Sequence, residues 1–414
     1  MRVLIAHNFY QQPGGEDQVF RAERDLLREF GHEVSTFEVH NDDVPGMGRL
    51  ALVAATVWNR PLHARLREAV RAFRPDVVHF HNTFPLLSPA AYYAAKAEGA
   101  AVVQTLHNFR LLCPGALLSR GGLPCESCVG RTFAWPGVAR GCYRGSRAAT
   151  GVTAAAVGLH RLAGTWAKAV DAYIALTPFA REKFLAGGLP AERIVVKPNF
   201  VHPDPGSRGG AGGYVAFVGR LSEEKGIDTL LQAWVAQGAS AVPLKIVGDG
   251  PLADAVSAAA ATTGRIQWLG RRSADEVAGI MGGAAAVVFP SKCYETFGRV
   301  AIEAFAVGTP VVASAHGAMA DVVGSDNRLG RLFRPGDGTD LAAQLRALLA
   351  DGSLPQVRRT CRAEFEAKYT GPQNYHLLLA VYRRAMATAR GMAAEHAPAL
   401  PPDASVAAAG GATS

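Results

Sequence analysis

The sequence predicts an α/β protein of two Rossmann-like domains, each a doubly wound parallel sheet, facing one another across a cleft. Three observations predict it. The chain has 414 residues, more than one ordinary core serves. Short Val/Ile/Leu/Phe runs alternate with Ala-rich or amphipathic stretches, the pattern of buried parallel strands joined by helices. A Gly/Pro-rich stretch from Pro198 to Gly213 splits this alternation into two sets, as a domain joint does.

In the first set, strands are expected at Val3–His7, Val77–Asn82, Val102–His107, Tyr173–Thr177 and Ile194–Lys197. Helical stretches fall at Asp17–Phe30, Leu62–Phe73 and Pro89–Glu98. The second set has strands at Tyr214–Gly219, Leu244–Val247, Ile266–Leu269, Ala286–Pro290, Pro310–Ser314 and Gly330–Arg334. Strands alternating with helices imply parallel sheets with right-handed crossovers. Gln373–Arg390 reads as a last helix, with Tyr375, Leu378, Leu379 and Tyr382 at helical spacing. The domains expected are therefore 1–198 and 199–372, then a helix over 373–393 and a disordered Ala/Pro/Gly/Ser tail over 394–414.

Apolar residues make up 49% and charged residues 19%, which fits a globular enzyme and excludes a disordered chain. The formal charge of +8 favours anionic partners such as phosphorylated ligands or an acidic membrane surface. No nucleic-acid-reading motif is present, so nucleic acid is not an expected partner. The apolar run in Met1–His7 is too short for a secretory signal. No run of about 18 apolar residues occurs either. The expected location is cytoplasmic, with peripheral contact at the inner face of the membrane; Leu50–Trp58 either docks there or packs inside the first domain.

Ligands of open parallel sheets bind beyond the carboxyl ends of the strands, and the informative residues sit in such loops. Pro13-Gly14-Gly15-Glu16 follows the first strand and precedes a helix, where two glycines let backbone amides approach an anion. In Gly219-Arg220-Leu221-Ser222-Glu223-Glu224-Lys225-Gly226, two cations bracket a loop before a helix, a setting that suits a diphosphate or, in the plainer reading, two solvated cations. Gly248-Asp249-Gly250-Pro251 repeats the strand, tight turn and helix logic, with Pro251 expected at the first helical position. The sharpest motif runs from Pro290 to Ala304: Glu295 ends a loop, Thr296 is expected to cap the next helix, and Gly298 and Glu303 follow. Glu295 and Glu303 are eight steps apart, about 12 Å along a helix, a span that fits different parts of one nucleotide sugar.

Here the chain resembles the retaining glycosyltransferases of family 4, which have the GT-B fold. Their signature is Glu, seven residues, Glu, matched by Glu295 and Glu303. The resemblance extends from the Gly14-Gly15 loop to the last helix. It implies transfer of a sugar from a UDP- or GDP-sugar to a glycan, lipid-linked or small-molecule acceptor, with retention of configuration. It places Glu295 by the donor sugar and Glu303 on the ribose hydroxyls. Arg220 and Lys225 hold the diphosphate, Gly14 and Gly15 approach the same phosphates, and His107 stands near the transferred sugar. Gly219, Gly248, Gly250 and Gly298 complete the donor-binding set. For His79 and His81 a structural role is the better expectation. The last helix of such folds crosses back to the first domain.

No Asp-x-Asp stands at a metal-binding position, so catalysis without a metal is expected. Cys113, Cys125, Cys128 and Cys142 gather in one region, 113–142. Four thiolates suit structural zinc, and free thiols are the alternative. Two other functions compete on this fold: a nucleotide-sugar 2-epimerase, which needs no acceptor, and a non-catalytic sugar-nucleotide-binding protein.

Overall fold

The computed structural model describes residues 1–392 apart from Pro13, Ala211 and Asp351; the tail expected to be disordered lies outside the described residues. Two compact units emerge. One comprises Met1–Leu118, Glu126–Asn199 and the residues from Pro372 onward; the other comprises Ser119–Cys125 and Phe200–Gly371.

The first unit holds strands β1 (Arg2–Phe9), β2 (Glu33–His40), β3 (Val77–Asn82) and β4 (Ala101–Thr105). A short antiparallel hairpin, β5 (Ser119–Arg120) and β6 (Leu123–Pro124), belongs to the second unit. The first sheet is completed by β7 (Ala172–Ala175) and β8 (Ile194–Val196). Its order is β2-β1-β3-β4-β7-β8, and every pairing is parallel. All residues of β3, β4 and β7 are buried, as helices on both faces require. β2 is absent from the expected set. It is an edge strand with the sequence EVSTFEVH, mostly only half-buried, so it lacks the continuous apolar run that marks the central strands.

The second sheet comprises β9 (Val215–Val218), β10 (Leu244–Val247), β11 (Ile266–Trp268), β12 (Ala286–Phe289), β13 (Val311–Ser314) and β14 (Gly330–Phe333). Its order, β11-β10-β9-β12-β13-β14, is parallel throughout. This is the doubly wound order that reverses direction beside its first strand. Its core gathers Val215, Phe217, Leu230, Trp234, Ile246, Val288 and Leu345, all nearly inaccessible to solvent.

The last helix, Gly371–Ala389, packs on the first unit, where its Tyr382 hydroxyl bonds His79 of β3. No helix among the described residues is long and apolar enough to cross a membrane.

Candidate functional site

In the second sheet the chain leaves β9 toward β10 on one side and later returns to lay β12 on the other. The crevice between the carboxyl ends of β9 and β12 is the topological switch point, where open α/β sheets bind ligands. Two loops meet there: 219–226 after β9 and 290–298 after β12. They are laced together where Lys292 N–H donates to the Glu224 carbonyl at 2.9 Å, with Ser291 Oγ 3.1 Å from the same carbonyl oxygen. This docking brings Lys225 Nζ within 2.6 Å of Glu295 Oε1, and Ser291 Oγ donates to the same oxygen at 2.7 Å.

Burial alone raises a carboxyl pKa and lowers an ammonium one. For Glu295 burial is the largest influence, yet Lys225 and Ser291 overcome it and hold its pKa below the usual carboxylate value. Lys225 is moved up for the reciprocal reason, its burial outweighed by Glu295 and further negative neighbours. Both groups are ionised near neutrality. Arg220, on the same loop, is exposed and has no ion-pair partner among the described residues. The two loops thus carry an exposed guanidinium and a half-buried ammonium–carboxylate pair.

The helix after β12 begins later than the motif suggests. It spans Arg299–Ala306, and its N-cap is Gly298 in the left-handed conformation, φ 88°. Thr296 therefore lies in the loop rather than at the cap, and Glu303 sits one turn inside the helix. The positive φ favours glycine at 298, and a Cβ there would require the Met319 side chain to move. Glu303 forms an ion pair with Arg299, 3.0 Å away in the preceding turn, and burial raises its pKa despite that charge. Pro251 is also displaced from its expected place, since the next helix begins at Ala253. A Cβ at Gly248 or Gly250 would strike the carbonyls of Gly219 or Leu221. These two glycines let the β10 loop pack against the backbone of the β9 loop and so shape it from behind.

In the first unit, Gly14 and Gly15 open the helix Gly15–Glu29. Neither has a positive φ, and a Cβ on either would meet nothing within 4 Å. Neither the backbone conformation nor the surrounding packing requires glycine there. Asp17 accepts from the Gly14 N–H at 2.8 Å and pairs with His7 at 2.7 Å, fixing the loop to β1.

β4 ends at Thr105, two residues earlier than expected, so His107 and Asn108 stand in the loop. Asn108 Nδ2 reaches Glu16 Oε2 at 3.5 Å, and this contact joins the glycine loop to the His107 loop. Glu16 was not singled out by sequence analysis, although an acidic residue just beyond a glycine pair at a helix start is a readable signal. Its Oε1 is buried without a hydrogen bond, and burial with Asp17 beside it raises its pKa to about 8 despite Arg110 and Asn108. His107 Nε2 lies 2.9 Å from His81 Nδ1. His79 is satisfied by Tyr382 and Thr105, at 2.9 and 2.8 Å, as a structural histidine is, whereas His81 touches the site. A pocket beside His107 is lined by His81, Asn82, Phe84, Tyr92, Arg110 and Trp166.

None of the four grouped cysteines is in a disulfide. Among the described residues, Glu23, His79 and His81 form the group whose three ligand atoms lie within 4.8 Å of one another; the cysteines are not in it.

Comparison with known proteins now bears on this arrangement. Residues 13–205 match the family described as Glycosyltransferase Family 4, and residues 212–351 match Glycosyl transferases group 1. The chain is 30% identical over 304 residues to the 2-deoxystreptamine glucosyltransferase of Streptomyces kanamyceticus, spanning 70% of this chain and 73% of that one. The chain belongs to the family 4 glycosyltransferases. A second member, the phosphatidyl-myo-inositol mannosyltransferase of Mycobacterium leprae, is 36% identical over 158 residues, covering 37% of this chain and 42% of its own. Among solved structures, Anabaena HepE in complex with UDP aligns with TM-score 0.66 at 19% identity, over 92% of this chain and 98% of HepE. The sucrose-phosphate synthase of Thermosynechococcus elongatus aligns with TM-score 0.68 at 18% identity, over 93% and 99% of the two chains. These likenesses establish the GT-B fold of this family 4 glycosyltransferase.

Proposed function

We propose that this glycosyltransferase transfers a sugar, with retention, from a nucleotide-diphosphate donor, a UDP-sugar above a GDP-sugar. The observation that carries the reading is the Lys225–Glu295 pair at the switch point of the second sheet, with Arg220 exposed on the same loop. UDP in the HepE complex supports the choice of base. Breaking the anomeric C–O bond leaves the electron pair and a growing negative charge on the diphosphate, while the sugar becomes oxocarbenium-like. Arg220 and Lys225 stabilise the diphosphate, and Glu295, held ionised, accepts hydrogen bonds from the sugar hydroxyls. Glu303 accepts from the ribose hydroxyls once Arg299 yields them. The acceptor oxygen attacks from the leaving group's face, and its proton passes to the leaving phosphate. His107 orients the sugar.

A Glu295→Gln variant keeps the shape of the side chain but removes the charge that pairs with Lys225. Transfer is expected to fall at least about a hundredfold, while a thermal-shift panel of UDP-, GDP- and ADP-sugars still reports donor binding. Undiminished turnover in that variant defeats the assigned role, and an isomerised donor formed without any acceptor would identify an epimerase instead.

A second observation favours a lipid-linked acceptor. Leu50 on the helix Arg49–Trp58 is 86% exposed, and Leu162, just after the packed helix turn bearing Leu159, is 75% exposed. Val53, Trp58 and Leu159 on the same two helices are exposed as well, as are Arg49 and Arg60, a composition suited to resting on an anionic membrane.

A further inference from the structure

Under the His107 loop lies a cluster of ionisable groups that the chemistry above does not use. Glu23, from the helix Gly15–Glu29, is 1% exposed, and its Oε1 takes the Lys197 ammonium at 2.8 Å. Lys197 follows β8 and is equally buried; it also donates to Asn374 Oδ1 on the last helix. Glu23 Oε2 faces His81 Nε2 at 3.3 Å and His79 Nδ1 at 3.6 Å. Both atoms are buried, and neither has another hydrogen-bond partner. The other edge of His81 bonds His107. His7 of β1 stands edge-on to His81, ring centres 6.2 Å apart. A metal is not the reading for the two-histidine, one-carboxylate group here. Lys197 already supplies the cation, and both His79 nitrogens are engaged by Tyr382 and Thr105.

We propose that Glu23, acting through His81, fixes the tautomer of His107. The protons follow from which atoms can carry them. An ionised carboxylate only accepts, so the proton between Glu23 Oε2 and His81 Nε2 belongs to His81. A neutral His81 then has its lone pair on Nδ1, and the proton in the next contact belongs to His107 Nε2. A neutral His107 is left with its lone pair on Nδ1, an acceptor for a hydroxyl rather than a donor. Glu23 is kept ionised because Lys197 and the hydrogen bond from His81 outweigh its burial, and burial keeps His107 neutral. Lys197 balances the buried charge, as a deeply placed carboxylate requires. Glu23 and His81 are thus positioning residues, and the consequence for transfer rests on the role given to His107 above.

Nitrogen-15 NMR of the histidine side chains in the full chain reads the tautomer directly, with the His107 signal assigned by its loss in His107→Asn. The native protein is expected to show a protonated Nε2 and a bare Nδ1. A His107 in the opposite tautomer, or carrying both protons, overturns the proposal without any variant. Because Glu23→Gln alone strands the Lys197 charge, the Glu23→Gln/Lys197→Met pair removes both together. In that folded variant the His107 tautomers should mix, and kcat should fall about 10–100-fold, the usual cost of losing a carboxylate behind a functional histidine, with KM for the donor unchanged. An unmixed native tautomer in the variant overturns the relay. Mixed tautomers with undiminished kcat uphold the relay and remove His107 from the chemistry, so the two ideas fail separately.

Discussion

Glu16 carries a charge state that its sequence position does not announce. Its carboxyl points inward between Asp17, Asn108 and Arg110, and burial is the main cause of a pKa raised to about 8. The unfolded chain gives up that proton near 4.5, as an ordinary glutamate does, so between these two limits the folded state binds more protons than the unfolded one. Stability from this group must then fall as pH rises through that window and level off above it. Glu16→Gln mimics the protonated form, and urea titrations at about pH 5 and about pH 9 should show the native protein losing stability between them while the variant loses less. Equal losses in both proteins would mean that Glu16 ionises normally. At this scale, legibility followed local spacing. Lys225, Glu295 and Glu303 were readable because motif order along the chain carries them. The Lys225–Glu295 contact itself and the roles of Glu16 and His81 arise from neighbours distant in sequence, whereas the Arg299 partner of Glu303 stands only one helical turn away.

Glycines separate into two kinds once the elements are in place. Gly226 caps the helix Ile227–Gln237 in the left-handed conformation, φ 71°, and a Cβ there would collide with the Pro290 carbonyl. That contact is where the β9 and β12 loops close on each other. Gly226→Ala is expected to destabilise the second unit by about 3 kcal/mol and to weaken the thermal shift given by UDP, because Lys225 and Glu295 lose their register. Gly15 is the converse. It begins a helix with open space around it, so Gly15→Ala should raise stability by about 0.5–1 kcal/mol while lowering transfer, since the added methyl stands where a phosphate approaches. Calorimetry and a transfer assay on the two variants check this crossing of signs; a Gly15→Ala protein with full activity would return that loop to a mere turn. Element boundaries were read well where buried strands end in glycine turns, as in β9 and β10. They were misread at Gly298, whose left-handed conformation caps the helix at Arg299, and at β2, whose half-exposed edge position hides it.

For the molecule as a whole, the question is what the charge of +8 and the apolar face of the first unit do together. Sequence reading left Leu50–Trp58 between core packing and docking. The fold divides the segment: Ala55 and Thr56 are buried, whereas Leu50 and Val53 point out and Trp58 is partly exposed beside His160. Several large apolar side chains exposed together, from two packed helices, are unusual on a surface with no partner, and flanking arginines add attraction for anionic headgroups that salt screens. Purified protein should therefore sediment with vesicles containing phosphatidylglycerol at low ionic strength, less so at high salt, and hardly with neutral phosphatidylcholine. The Leu50→Asp/Leu162→Asp pair alters two well-exposed positions and should change folding stability by no more than about 0.5 kcal/mol each, while abolishing sedimentation and sparing transfer to a water-soluble acceptor. If the native protein ignores anionic vesicles at low salt, the face serves another purpose and the case for a lipid-linked acceptor goes with it; the nucleotide site of the second unit, which stands on separate residues, is untouched by that result.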